Sequence, residues 1–204
     1  MKLARNVLIV SLALATTSLY AEKPKNDHLN EQLTILLDTL VVCPSDSPTR
    51  FVDNGDGTIC DHLTGLMWEM KDASDGTQDL ANPHDVDNEY TWTVASPDPN
   101  GAAFTDFLAR LNGEVAGTVT SEQLGSYSDW RLPTSAELQT IVDCSFGIPC
   151  IEPIFGPTVP TFYYSSTTSA NYSGDAWLVG FYAGVVRADE KGTAEHVRAV
   201  RGGR

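Results

Sequence analysis

Residues 84–88 read His84-Asp85-Val86-Asp87-Asn88, two carboxylates and an amide oxygen within four positions. Hard oxygen donors at such close spacing suit Ca²⁺ better than a transition metal. Asp85, Asp87 and Asn88 are therefore candidate calcium ligands, with solvated loop acids as the plain alternative. Asp53, Asp56 and Asp61 form a second acidic series around Asn54-Gly55-Asp56-Gly57. An EF-hand is not the reading there, because the twelfth loop position is Thr64 rather than a bidentate glutamate. Tight-turn chemistry accounts for that segment better.

Aromatic side chains make the other candidate set. Tyr90, Trp92, Tyr164 and Tyr172 fall in loops or at strand ends, where rings can stack on a sugar face or anchor a protein surface. Trp68, Trp130 and Trp177 are assigned to the core. Catalysis is not expected. His28, His62, His84 and His196 are each isolated, and no GxSxG elbow, HExxH helix or glycine-rich phosphate loop occurs. Arg131, Arg198 and Arg201 are expected to brace the fold by pairing with acids.

Four cysteines follow the N-terminal region: Cys43, Cys60, Cys144 and Cys150. An even count in an exported chain points to two disulfides. Cys144 and Cys150 enclose only a short loop, so they are expected to pair, leaving Cys43 with Cys60.

Export itself is read from residues 1–21. Lys2 and Arg5 precede the apolar run Val7 to Ala15, and Ala21 offers a cleavage point. This is the layout of a signal peptide, with a run too short to span a bilayer stably. Cleavage would remove two bases and no acids, taking the net charge from −14 to −16, with 27 acidic residues remaining. So acidic a chain repels phosphate backbones and anionic lipid, so nucleic-acid partners and membrane insertion after cleavage are not expected. The expected address is secreted or periplasmic, extending to the cell surface.

These residues must be positioned by a modest set of elements. Leu29, Leu33, Leu36, Leu37 and Leu40 recur at helical spacing, predicting a helix over 29–42 inside an N-terminal segment 22–48. Its stripe packs on the domain or on a second copy, giving a homo-oligomer. Turn signals in 54–57 and 64–65 separate short strands, and residues 71–100 form a long polar loop. Phe104, Phe107, Leu108 and Leu111 predict a helix over 102–111. Thr134 and Glu137 form a capping box opening a second helix, 135–143. Strands follow from Tyr163, with Trp177, Val179 and Phe181 alternating inward, and Val197–Val200 closes the chain. The fold class is α+β: an antiparallel sheet with two short helices, long loops and two disulfides.

Several segments together are specific. They are RFVDNGDGTICDHLTGLMWE, YTW, AFTDFLARLN, SDWRLPTSAELQTIVD, YYSSTTS, AWLVGF and the closing VRAVRGG. Over residues 49–204 the chain resembles the Lcl C-terminal domain family, named for a Legionella collagen-like adhesin. The resemblance implies an extracytoplasmic bacterial domain with a C-type-lectin-like fold and a role in adhesion, with a glycan or a protein as ligand. The chain departs from the pattern in places. Collagen-like repeats are absent, Tyr164 stands where the YWSS motif has tryptophan, and the acidic charge is unlike that of a sulfated-polysaccharide binder. The sugar-binding triplets of calcium-dependent lectins, Glu-Pro-Asn and Trp-Asn-Asp, do not occur. The WRLPTSAEL stretch is also similar to formylglycine-generating enzymes, but no cysteine follows Cys150 to act as their nucleophile. A structural or oligomerising surface domain is the remaining alternative.

Overall fold

The computed structural model describes Cys43 and residues 47–95, 97–114 and 123–203, all within the compact unit Val41–Arg204. The expected signal peptide, the 29–42 helix and most of the 22–48 segment lie outside the described residues. Nine strands alternate with short helical turns. They are β1 (Phe51–Asp53), β2 (Thr58–Asp61), β3 (Leu66–Glu69), β4 (Tyr90–Thr91), β5 (Phe162–Thr168), β6 (Asp175–Gly180), β7 (Val185–Glu190), β8 (Ala194–Glu195) and β9 (Val200–Gly202).

The strands form three antiparallel sheets rather than the one expected: β1-β2-β3-β9, β4-β8 and β5-β6-β7. In the first, the opening hairpins take the C-terminal strand as their fourth member, with Trp68 opposite Val200 and Leu66 opposite Gly202. Within the third sheet the register of β5 against β6 slips between Tyr164 and Thr168. The slip turns backbone groups outward to other partners. Ser166 N–H donates to the Pro133 carbonyl, and the Ser165 carbonyl accepts from the Trp92 indole.

Two apolar clusters pack the domain. One gathers Tyr90, Trp92, Phe107, Leu111, Trp130, Tyr164 and Leu178; the other gathers Ile59, Trp68, Leu138, Phe155, Tyr163, Val179 and Phe181. Successive strand residues point to opposite faces, so Tyr163 and Tyr164 enter different clusters and the β5-β6-β7 sheet is covered on both sides. This corrects the expected alternation. Val179 and Phe181 face inward as read, but Leu178 and Ala176 are equally buried, and Trp177 is half-buried.

Both helices form, each in altered shape. Ala103–Leu108 is π-helical and runs into the α-helix α1, Ala109–Leu111. Its entry residue, Gly101, lies against strand backbone, where a Cβ would fall on the Thr91 carbonyl oxygen. The second helix, α2, spans Ser135–Thr140 and carries the expected capping box between Thr134 and Glu137. It ends short of residue 143 because Asp143 N–H is drawn off to the Cys150 carbonyl. Both disulfides pair as expected, Cys43 with Cys60 and Cys144 with Cys150.

Candidate functional site

The acids of the long loop hold the loop's own backbone. The buried Asp85 carboxylate accepts from Asp79 N–H at 3.1 Å and from Asp87 N–H at 2.8 Å. Asp87 accepts from Gly76 N–H at 2.7 Å, and the Asn88 amide donates to the carbonyls of Asp79 and Asn82. Aspartate and asparagine are suited to capping turns in this way. Among the described residues, no group of three or more His, Cys, Asp or Glu side chains is arranged to hold a metal ion. Asp85 and Asp87 thus brace the loop through backbone N–H groups and Asn88 through its amide N–H groups, and the Asn88 Oδ1 takes no part in this bracing. Asp53, Asp56 and Asp61 behave alike, accepting from Gly55, Thr58 and Leu63 N–H respectively.

A buried ionic cluster ties this loop to the sheet, and nothing in the sequence pattern announced it. Glu69, at the end of β3, meets Lys71 Nζ at 3.0 Å and His84 Nδ1 at 2.9 Å through one oxygen. Its other oxygen accepts from Ala199 N–H. Burial alone would raise the Glu69 carboxyl, but the Lys71 ammonium and His84 hold it below the usual carboxylate range. Lys71 also donates to the Pro83 carbonyl and stands 4.5 Å over the Phe107 ring. Arg131 pairs with Glu137 and Arg201 with Asp129, as expected. Arg198 forms no ion pair within 4.0 Å among the described residues. It is fully buried and donates to the carbonyls of Glu69 and Phe155 and to the Thr158 hydroxyl.

Three of the four candidate aromatics are corrected by their burial. Tyr90, Trp92 and Tyr164 are 2%, 4% and 0% exposed, so their ring faces meet protein rather than ligand. Tyr90 tilts against Phe107, and Trp92 takes the edge of Phe104. The Tyr164 hydroxyl reaches the carbonyls of Glu190, at 2.6 Å, and Thr193, at 3.0 Å. Only Tyr172 stands in solvent, at 70% exposed.

Two of the buried rings support an open cleft of about 340 Å³, lined by Thr93, Val94, Gly174, Asp175, Glu190 and Gly192. One wall is the segment after β4. The other is made by the β5–β6 turn, which carries Tyr172, and by the turn leaving β7. Lys191 fastens the walls together. Its carbonyl accepts from Trp92 and Thr93 N–H, and its own N–H donates to the Gly174 carbonyl. Its ammonium donates to the Pro97 carbonyl and the Thr168 hydroxyl, 3.8 Å over the Trp92 ring. Burial draws this ammonium below its ordinary range, while Asp175 and Asp98 oppose that shift.

The cleft residues lie in the same span that a known family covers. The model of the Lcl C-terminal domain matches residues 57–201. The chain belongs to that family. Comparison with curated proteins finds no match. The match takes in every strand of the Lcl C-terminal domain except β1, and β9 up to Arg201. It also takes in all six residues lining the cleft. No helix among the described residues is long and apolar enough to cross a membrane.

Proposed function

We propose that this Lcl C-terminal domain is an exported, adhesion-type binding module on a C-type-lectin-like scaffold, and that it takes a glycan ligand in the cleft between Val94 and Glu190. The observation behind this reading is the construction of the cleft. Its walls are loops, but Lys191 fixes them to one another, so the recess is preformed and little ordering is needed on binding. Family membership supports an adhesin-type role, and two disulfides suit an oxidising, extracytoplasmic compartment.

The alternative of an enzyme like the formylglycine-generating ones has no support in the cysteines. All four are in disulfides, and none is free among the described residues. Buried Glu69, Lys71 and Asp85 pair with one another or with the backbone, which is a bracing pattern.

A glycan array probed with the exported protein and with Gly192→Val tests the reading. A Cβ at Gly192 meets nothing within 4 Å, so the valine enters the cleft without displacing core atoms. Binding by the parent chain that the valine variant loses is the expected result. Equal binding by both would place the ligand elsewhere.

A further inference from the structure

The outer edge of β7 can accept an antiparallel strand, and we infer that a second copy of this chain supplies it, β7 against β7 about a twofold axis at Ala188. β7 closes one side of its sheet, with no strand beyond it among the described residues. Glu190 stands opposite Asp175, and in the next pair Lys191 N–H donates to the Gly174 carbonyl. Antiparallel ladders alternate hydrogen-bonded and open pairs, so residues 185, 187 and 189 turn their backbone groups toward β6. Val186 and Ala188 turn theirs the other way. No turn, loop or side chain among the described residues takes up those groups, and β7 is exposed or half-buried along its whole length. Unpaired amides and carbonyls in a row form a template for another strand.

The side chains specify which strand. A charge on an edge usually keeps a second strand away. Arg187 and Asp189 act differently, because they carry opposite signs on one face of the strand, either side of the small Ala188. With Ala188 set against the partner's Ala188, their amides and carbonyls exchange hydrogen bonds. Arg187 then meets the partner's Asp189, and Asp189 meets the partner's Arg187. The patch complements itself, as a twofold contact requires, and opposite charges directly across neighbouring strands attract. Within one copy, Arg187 pairs with Asp189 at 2.9 Å and reaches Glu195 at 3.7 Å. The Arg187 and Asp189 side chains are 46% and 38% exposed, so their own pair is weak and readily shared. The guanidinium also has further N–H donors to divide between carboxylates. This contact needs neither a cleft ligand nor the 29–42 segment.

Sedimentation equilibrium over a concentration series tests the pairing, using the exported protein, Arg187→Asp and Asp189→Arg, each alone and the two variants mixed. The parent chain is expected to reach twice the mass of either variant at the same concentration. Each variant alone sets like charges across the axis and should associate about tenfold more weakly. An equimolar mixture of the two should recover the parent mass, because an all-acidic edge then meets an all-basic one. Ala188→Pro removes an outward N–H and spares the β6 ladder, so it should lose the pairing and keep its thermal midpoint. If that variant does not fold, the charge exchange decides alone. A parent chain no heavier than the variants overturns the proposal, whether all are single copies or all associate through another surface. A mixture no heavier than its components overturns it as well.

Discussion

The ammonium of Lys191 lies 3.8 Å over the indole of Trp92, while the backbone carbonyl of Lys191 accepts from the Trp92 N–H at 3.0 Å. One residue thus grips the other by main chain and side chain together. Through that grip the segment after β4 is held against the turn after β7. The predicted consequence concerns Lys191→Met, which keeps the apolar stem and removes the donors. It should lower stability by about 1–3 kcal/mol, because the ammonium's two part-buried hydrogen bonds, to the Pro97 carbonyl and the Thr168 hydroxyl, are lost. Urea unfolding measures the loss, and amide exchange at Thr93 and Val94 should quicken. Unchanged exchange at both amides would show that the wall does not depend on Lys191.

Glu69 and Lys71 offer a second test, by double-mutant cycle. Removing one partner of a buried pair leaves an uncompensated charge, at a cost of about 3–5 kcal/mol. Glu69→Gln and Lys71→Met should each fall in that range. The double variant should be clearly more stable than the sum of the two, since no orphan charge remains. Simple additivity in denaturant unfolding would refute the coupling that the 3.0 Å contact implies.

Acid should unfold the domain in stages. Burial holds the His196 imidazole below its ordinary 6.5 against the opposing pull of Glu89 and the Val86 carbonyl, with Lys71 adding to the depression. A group depressed on folding contributes stability above its unfolded value and loses it as the pH falls through the folded one. The first decline therefore begins just below pH 6.5. Glu69 and Glu137 are likewise depressed from 4.5, Glu137 against its own burial by Arg131 and Thr134. Their contribution is present above pH 4.5 and disappears below it. Glu195, raised by burial, has the opposite sign and softens the second decline. Thermal melts from pH 8 to 3 read both stages, and His196→Asn should shrink only the earlier one.

Calcium and chelator should leave the thermal midpoint in place. Each Asp85 oxygen accepts a backbone N–H group, which a metal would have to share or displace. Saturating ligand specific for the folded state would add about 2.7 kcal/mol at a hundredfold excess over its dissociation constant. A calcium-dependent rise of the midpoint would return Asp85, Asp87 and Asn88 to the position of metal ligands.

Much of this architecture is legible from local pattern. The turn clusters at 54–57 and 64–65, the Thr134–Glu137 capping box, the Cys144–Cys150 pairing and the hairpin from Trp177 to Ala188 all depend on residues close together in the chain. Side-chain chemistry and backbone preference act over that range, so the sequence suffices, and the family motifs are written in the same segments. The functional surface is different in kind. Tyr90, Trp92 and Tyr164 look alike in sequence to Tyr172, yet three are buried and one is exposed, because burial follows from which elements pack over a ring. Asp85 looks like a metal ligand, and only the folded loop shows that its oxygens also accept from the Asp79 and Asp87 amides. Lys191 reads as an ordinary turn lysine, and only the meeting of residues 92–97, 168 and 174 makes it the clasp of a cleft. The sequence by itself determined the family, the disulfides and the turns. Tertiary structure decided which charges neutralise one another, as Glu69 does Lys71, since charge pairing depends on distances that only the folded chain sets.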